Sequence, residues 1–458
     1  MLKDRPRNRV VISLSVVWSV RNVLCSGLFR ELEKYYDVSF IVPEHGVDTM
    51  RAFGIPASSI ISLTIENEGR LEVILRQILE ADFVNRKPLP ENAVLSRVRK
   101  LRGLRNVSKL VLVKALAKSM ALVRIQPIVE KVYEGCLAKK INRQDLEKLT
   151  NLEAISFIST ACVGYFDHVV FAALRRNTDA RLIAHVLSFD NPSSRGYLPL
   201  RMYDRFLVWG DQMRKDLEEL QDVPSEKMII TGTPQFDFHV EFMKENPGPI
   251  IGQRYFLYAA NHVMHTPTEP QLVAAILEKV RAEKDFDEIG FKVRLHPMDD
   301  YQRWNWLKEK YPNIEIEVPW KQGDGGETSW GTPNRQEVFQ LSKTIHQSVA
   351  VMGIASTSLV DAVIMRRPAI GIGFDVDGGG YSDRYRDFHF TYHYKFLTNG
   401  QFVKLAEGLN DLIETLKASI AESDSELDER ATRIQGMTGP LDGKAADRIS
   451  EQILNEGF

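Results

Sequence analysis

Apolar residues fall along this chain in short unbroken runs, separated by stretches with helical spacing. Residues 10–17 and 38–43 read as strands buried on both faces, with a helix over 22–35 between them and a third strand at 60–63. From 71 to 173 the spacing is helical over an unusual length, broken by Pro88-Leu89-Pro90 and by Pro127. Strands resume at 181–187, 204–209 and 228–231, with a helix over 211–220. After the linker-like Glu245-Asn246-Pro247-Gly248-Pro249 the alternation restarts. Strands over 255–260, 291–295, 314–318, 348–352 and 369–372 are interleaved with helices over 269–284, 301–310, 336–342 and 358–365. Thr268-x-x-Gln271 predicts a capping box on the first of these helices. The charged tail from 402 onward reads as helical.

Strands that alternate with helices of this length imply parallel sheets. The expected fold is therefore α/β, with two doubly wound, Rossmann-like domains facing a cleft. The first spans 1–245 and carries a helical insertion at 71–173; the second spans 250–430; a C-terminal helix over 431–458 packs across their junction. A length of 458 residues leaves room for two such cores. With 44% apolar and 26% charged residues, disorder is excluded as the main state. The 59 Lys and Arg nearly balance 61 Asp and Glu, which argues against nucleic acid as a whole-surface partner.

Cys25, Cys136 and Cys162 lie far apart, so neither a disulfide framework nor a cysteine zinc site is expected, and a reducing, cytoplasmic setting fits. Lys3, Arg5, Arg7 and Arg9 ahead of an apolar run imitate a signal peptide. Ser13, Ser15 and Ser19 dilute that run and Arg21 closes it, which favours a buried strand. No run of 18 apolar residues offers a membrane span. The stretch 96–131 carries ten basic residues against one acid, Glu130, interleaved with Leu and Val at helical spacing. It has two readings: a peripheral contact with an anionic membrane on its inner face, or an ordinary domain helix with solvated cations.

In open parallel sheets ligands bind beyond the carboxyl ends of the strands. After 348–352 stands Gly353-Ile354-Ala355-Ser356-Thr357-Ser358 and then a helix. Its hydroxyls and free helix-start N–H groups read as a diphosphate cradle. Ser358-x-x-Asp361 reads equally as a capping box that needs no ligand. After 291–295 come Arg294 and His296-Pro297, and after 255–260 come Asn261, His262 and His265. The histidine pair has no carboxylate or cysteine at ligand spacing, so a metal is not expected. Asp375-x-Asp377 fails as a calcium loop, because position 5 is Gly379 and position 12 is Arg386; a glycine loop able to close over a ligand reads better. In the first half, His45 follows the strand at 38–43. Asp190 sits in Ser188–Ser194, where a carboxylate, hydroxyls and an amide converge.

Arg294-Leu295-His296-Pro297 and Ser356-Thr357-Ser358-Leu359-Val360-Asp361, followed by Arg367-Pro368-Ala369-Ile370-Gly371, resemble GT-B glycosyltransferases. The likeness is to the bacterial cell-surface polysaccharide group that includes capsule and teichoic-acid glycerophosphotransferase relatives. Asp190 to Gly196, Phe206 to Gly210 and Thr231-Gly232 add weaker support, so the resemblance covers about 181–373. It implies transfer of a sugar from a nucleotide-activated donor to a glycan or lipid-linked acceptor, with no cofactor beyond the donor. Donor diphosphate would be held by His296, Ser356, Thr357 and Ser358, with Asn261, His262 and Arg294 beside them. Asp361 stands where many of these enzymes place a ribose-binding Glu. With the acceptor on the first domain, Asp190 is the expected base and His45 the second choice. A non-hydrolysing nucleotide-sugar epimerase, a glycerophosphotransferase and a binding module without turnover are the alternatives.

Overall fold

A computed structural model describes residues 7–87, 89, 126–246, 254–319, 334–376 and 382–455. Most of the basic stretch at 96–131, the linker at 247–249 and the glycines after Asp377 lie outside the described residues. The chain divides into two compact units, Met1–Pro234 with Lys444–Phe458 and Gln235–Gly326 with Gly331–Gly443.

The first unit is built on a seven-stranded sheet of order β3-β2-β1-β4-β5-β6-β7. Its strands are β1 (Arg9–Ser13), β2 (Asp37–Pro43), β3 (Ile60–Leu63), β4 (Ser156–Ser159), β5 (Arg181–His185), β6 (Arg205–Val208) and β7 (Met228–Ile230). The second sheet has six strands in the order β10-β9-β8-β11-β12-β13: β8 (Tyr255–Ala259), β9 (Gly290–Arg294), β10 (Glu315–Glu317), β11 (Ser348–Gly353), β12 (Ala369–Ile372) and β13 (Lys404–Ala406). Every pairing is parallel. Strands covered by helices on both faces must be apolar throughout, as in Ser348–Gly353, where all six residues are buried. Both sheets thus have the doubly wound order expected from the alternation of strands and helices.

Four sequence expectations change. The segment 71–173 is not an uninterrupted helical insertion: β4 pairs with both β1 and β5 at the centre of the sheet, and the helix Tyr165–Asn177 follows it. Four residues with serine at each end leave no apolar run to detect. The helix over 22–35 is broken into the turns Val17–Val20, Arg21–Cys25 and Leu28–Leu32, because Gly27 at φ 91° adopts a left-handed conformation that ends the first stretch. The tail contains the edge strand β13 before its helices. The Thr268 capping box does not form; its hydroxyl donates to Asp375 Oδ2 (2.7 Å) and meets the Tyr385 hydroxyl (2.8 Å).

The helix Pro234–Glu245, read from the sequence as part of the first domain, groups from residue 235 with the second unit. Phe238 there packs edge-on against Phe339 and Phe242 against His346. Conversely, the helix Ala445–Asn455 puts Ala446, Ile449 and Ile453 into the first unit's core, beside Val10, Ile12, Ile158, Ile183 and Leu207.

Strand β11 lies unusually close to β8. A Cβ built on Gly353 would stand 2.7 Å from the Ala259 carbonyl oxygen, which is backbone and cannot swing away. Gly353→Ala should therefore cost about 1–3 kcal/mol of stability. Urea unfolding checks this, and an unchanged midpoint would mean that the two strands can separate freely at this level.

Candidate functional site

The second unit gathers three turns that are far apart in sequence. In the order β9-β8-β11 the carboxyl ends are neighbours, and strand order reverses between β8 and β11, which is where doubly wound sheets open a crevice. Asn261, following β8, donates through its side-chain amide to the Ile354 carbonyl beyond β11 and so stitches the two turns together.

Beyond β11 the helix Thr357–Ile364 begins. Its N-cap is Ser356, whose Oγ accepts from the Ser358 amide at 3.2 Å, so the capping expectation on Ser358 and Asp361 is replaced by a cap two residues earlier. A hydroxyl that accepts here still has its proton to donate. Thr357 is exposed and Ser358 half-buried, which leaves hydroxyls and first-turn amides at the positive end of the helix.

Beyond β8 and β9, His262 and His296 face each other with ring centroids 5.9 Å apart, and His265 lies 6.3 Å from His262. The Met264 amide donates to His262 Nδ1 (3.2 Å) and the Met298 amide to His296 Nδ1 (3.1 Å), so in each neutral ring the proton is on Nε2. Burial, and then the neighbouring His262, hold His296 down at about 4. At neutral pH the His296 ring is therefore an uncharged hydrogen-bond donor through Nε2.

A buried carboxylate fixes this turn from below. Glu269 is fully buried and accepts from the Asn261 amide (3.0 and 3.1 Å), the Thr266 hydroxyl (2.7 Å) and the Tyr258 hydroxyl (3.1 Å). Arg303 reaches Glu269 (3.2 Å), the Asn261 carbonyl (3.0 Å) and the Thr266 carbonyl (2.6 Å), while Asp299 accepts from the Val263 amide at 2.9 Å. Burial lifts the Glu269 carboxyl to about 7 despite these donors. None of the three was singled out in the sequence. A Glu in a first helical turn and an Asp–Arg pair at i,i+4 are ordinary helix features, and only the fold brings them together.

Two expected donor residues are engaged elsewhere. Arg294 is buried and ion-paired with Glu317 on the adjacent edge strand. Asp361 Oδ1 lies 3.1 Å from His239 Nε2, and His239 Nδ1 lies 2.9 Å from Ser342 Oγ, all three in the core. This serine–histidine–aspartate chain is sealed from solvent and joins three helices.

In the first unit the equivalent position is already filled. The helix after β4, the counterpart of the one after β11, carries Asp167 in its first turn. That carboxylate is fully buried and accepts from Ser13 (2.9 Å), Ser159 and the Ala161 amide (3.3 Å); burial raises its pKa. The strand-end donors of the first unit are thus taken up by a side chain of its own. Asp190 accepts from the hydroxyls of Ser188 and Ser194 (2.6 Å) beyond β5, and His45 is exposed in the turn Glu44–Gly46 beyond β2. Strands β2 and β5 are separated by β1 and β4, three spacings or roughly 14 Å. The two candidates therefore cannot share one proton.

No protein-family model and no curated protein matches the sequence. Solved structures do. The UDP-GlcNAc 2-epimerase of Neisseria meningitidis, bound to UDP-GlcNAc, is 13% identical with a TM-score of 0.54 over 98% of this chain and 100% of that one. A putative UDP-N-acetylglucosamine 2-epimerase from Listeria monocytogenes is 12% identical with a TM-score of 0.56, over 99% and 97%. The Methanocaldococcus jannaschii UDP-GlcNAc 2-epimerase, in complex with UDP-GlcNAc and UDP, is 11% identical with a TM-score of 0.54, over 98% and 99%. The chain thus has the GT-B fold, with two Rossmann-like domains.

Because the folded-state pKa of Glu269 is raised from 4.5 to about 7, its stabilising contribution is complete below pH 4.5 and is lost as pH rises through about 7. Glu269→Gln keeps an acceptor for the Asn261 amide and cannot ionise. The slope of unfolding midpoint against pH between 5 and 8 should be less negative in this variant than in the parent. Parallel profiles would show that Glu269 titrates normally.

Proposed function

We propose that the protein is an enzyme of nucleotide-activated sugars, and that it transfers the sugar to a glycan or lipid-linked acceptor. The observation that carries this reading is the asymmetry between the two units. Both have a helix start at the same place in the strand order, yet at the first Asp167 takes up the donors while the second offers Ser356, Thr357 and Ser358 beyond the same strand end, with His262 and His296 on the neighbouring turns. A diphosphate fits the second. Helix-start amides, hydroxyls and two imidazole N–H donors meet its charge, and that charge grows as the sugar–phosphate bond breaks. In this reading the reaction needs no metal and no cofactor beyond the donor. Asp190 is the base that takes the acceptor's proton, in preference to the exposed His45.

A non-hydrolysing epimerase is the second reading, favoured by near full-length likeness in fold to structures of UDP-GlcNAc 2-epimerases. The two part on product: an epimerase inverts the sugar of UDP-GlcNAc with no acceptor present, whereas a transferase leaves it unchanged until an acceptor is added.

A thermal-shift panel of UDP, GDP, CDP, CMP and ADP should show one nucleoside diphosphate raising the unfolding temperature, as binding to the native state requires. The Ser356→Ala, Thr357→Ala double variant should bind that nucleotide one to two decades more weakly, at about 1.5–3 kcal/mol per charged hydrogen bond. Equal affinity in a folded double variant would reduce the segment to a helix cap.

Asp190→Asn should lower turnover by about 10² or more while sparing donor affinity. Should His45→Ala abolish turnover and Asp190→Asn leave it intact, the base is His45.

A further inference from the structure

The turn that starts the donor-side helix is held from behind by a segment that the site as described does not use. His389 follows the helix Ser382–Phe388 and is fully buried. Its ring occupies the space over Gly371 on β12, where a Cβ would stand 2.5 Å from Cε1 and 2.8 Å from Nδ1. Nε2 faces the turn: it lies 3.3 Å from the Ala355 amide nitrogen and 3.1 Å from the Ile372 carbonyl oxygen. One imidazole nitrogen thus meets a donor and an acceptor at once, while Nδ1 has no hydrogen-bond partner. Tyr394 packs edge-on against the ring at 5.4 Å, and its hydroxyl donates to the Ser356 carbonyl at 3.3 Å.

What these contacts restrain is an unfavourable backbone. Ala355 has φ 36°, a left-handed conformation that costs a residue with a Cβ on the order of 1 kcal/mol or more. It persists only where the surroundings impose it: the peptide before Ala355 is held by His389 on the Ala355 amide and by Asn261 on the Ile354 carbonyl, and the peptide after Ser356 is held by Tyr394 on the Ser356 carbonyl. The orientation of these peptides decides where the following amides and the Ser356 hydroxyl point. Burial keeps the ring neutral, at about 4, so it brings no charge of its own.

We propose that His389 and Tyr394 are positioning residues for anion binding at the start of the Thr357–Ile364 helix, acting through hydrogen bonds to the Ala355–Ser356 turn and not by touching the ligand. This deepens the reading of that helix start as the donor's diphosphate site and rests on it.

The test separates hydrogen bonding from packing. Phe fills the space of His389 but offers Ala355 and Ile372 nothing; Gln fills it less well, yet its amide can accept from one and donate to the other. UDP and inorganic pyrophosphate are the probes, titrated by calorimetry against full-length parent, His389→Gln, His389→Phe, Tyr394→Phe and Gly371→Ala, with circular dichroism melts as the check on folding. UDP affinity is expected to stay within about threefold in His389→Gln. It is expected to fall about tenfold or more in His389→Phe and in Gly371→Ala, which displaces the ring, and by less in Tyr394→Phe. Pyrophosphate should follow the same order. If the Phe variant binds like the parent and the Gln variant does not, the ring is packing only and the proposal is overturned. Binding by the parent and equally by every folded variant overturns it too, leaving the site reading intact. A parent that binds neither probe removes the site reading and this proposal together.

Discussion

The second unit depends on how closely two parallel strands can run where their connections depart in opposite directions. At that place β8 and β11 are each other's neighbours, and their connections lead to opposite sides of the sheet order. Gly353 lets β11 come within contact of the Ala259 carbonyl, and the Asn261 amide then reaches Ile354. From this contact the rest follows. Ala355, before Ser356, is left-handed, the helix after it starts with the Ser356 cap, and the histidine turns follow the neighbouring strands β8 and β9. A side chain at 353 would loosen all of these at once.

Buried carboxylates do opposite things in the two units. Asp167 sits where a ligand's anion would go, and three strand-end donors are spent on it. Glu269 is equally buried, and it ties down the Asn261 amide and the Thr266 hydroxyl of the turn beyond β8. Hydrogen bonds offset part of the cost of burying the charged form in both, and Arg303 adds to this in the second, yet burial still raises both pKa values.

Much of this was legible from the chain, for a plain reason: strands buried on both faces need unbroken apolar runs, and those runs mark their own carboxyl ends. Ser356, Thr357, His262 and His296 stand just beyond them. What the pattern could not show was anything defined by partners. Strand β4 is too short and too rich in serine to stand out, although it lies at the centre of its sheet. Thr268 has the spacing of a cap but spends its hydroxyl on Asp375, and Asp361 has the spacing of a ligand-binding acid but meets His239 in the core. His389 lies in a region without strand signal, and its importance comes from Gly371, a residue whose role is to be absent. The comparisons with solved structures confirm two Rossmann-like domains and say nothing of these partners.

The helix Ala445–Asn455 has a consequence for how the protein is made. It supplies Ala446, Ile449 and Ile453 to a core whose other members are encoded more than two hundred residues earlier. A ribosome therefore completes the whole second unit while the first still lacks one of its covers, with the face formed by Ile12, Ile158, Ile183 and Leu207 left open. The first unit is begun first and finished last. Transiently exposed apolar surface of this kind is what makes incomplete domains prone to aggregation.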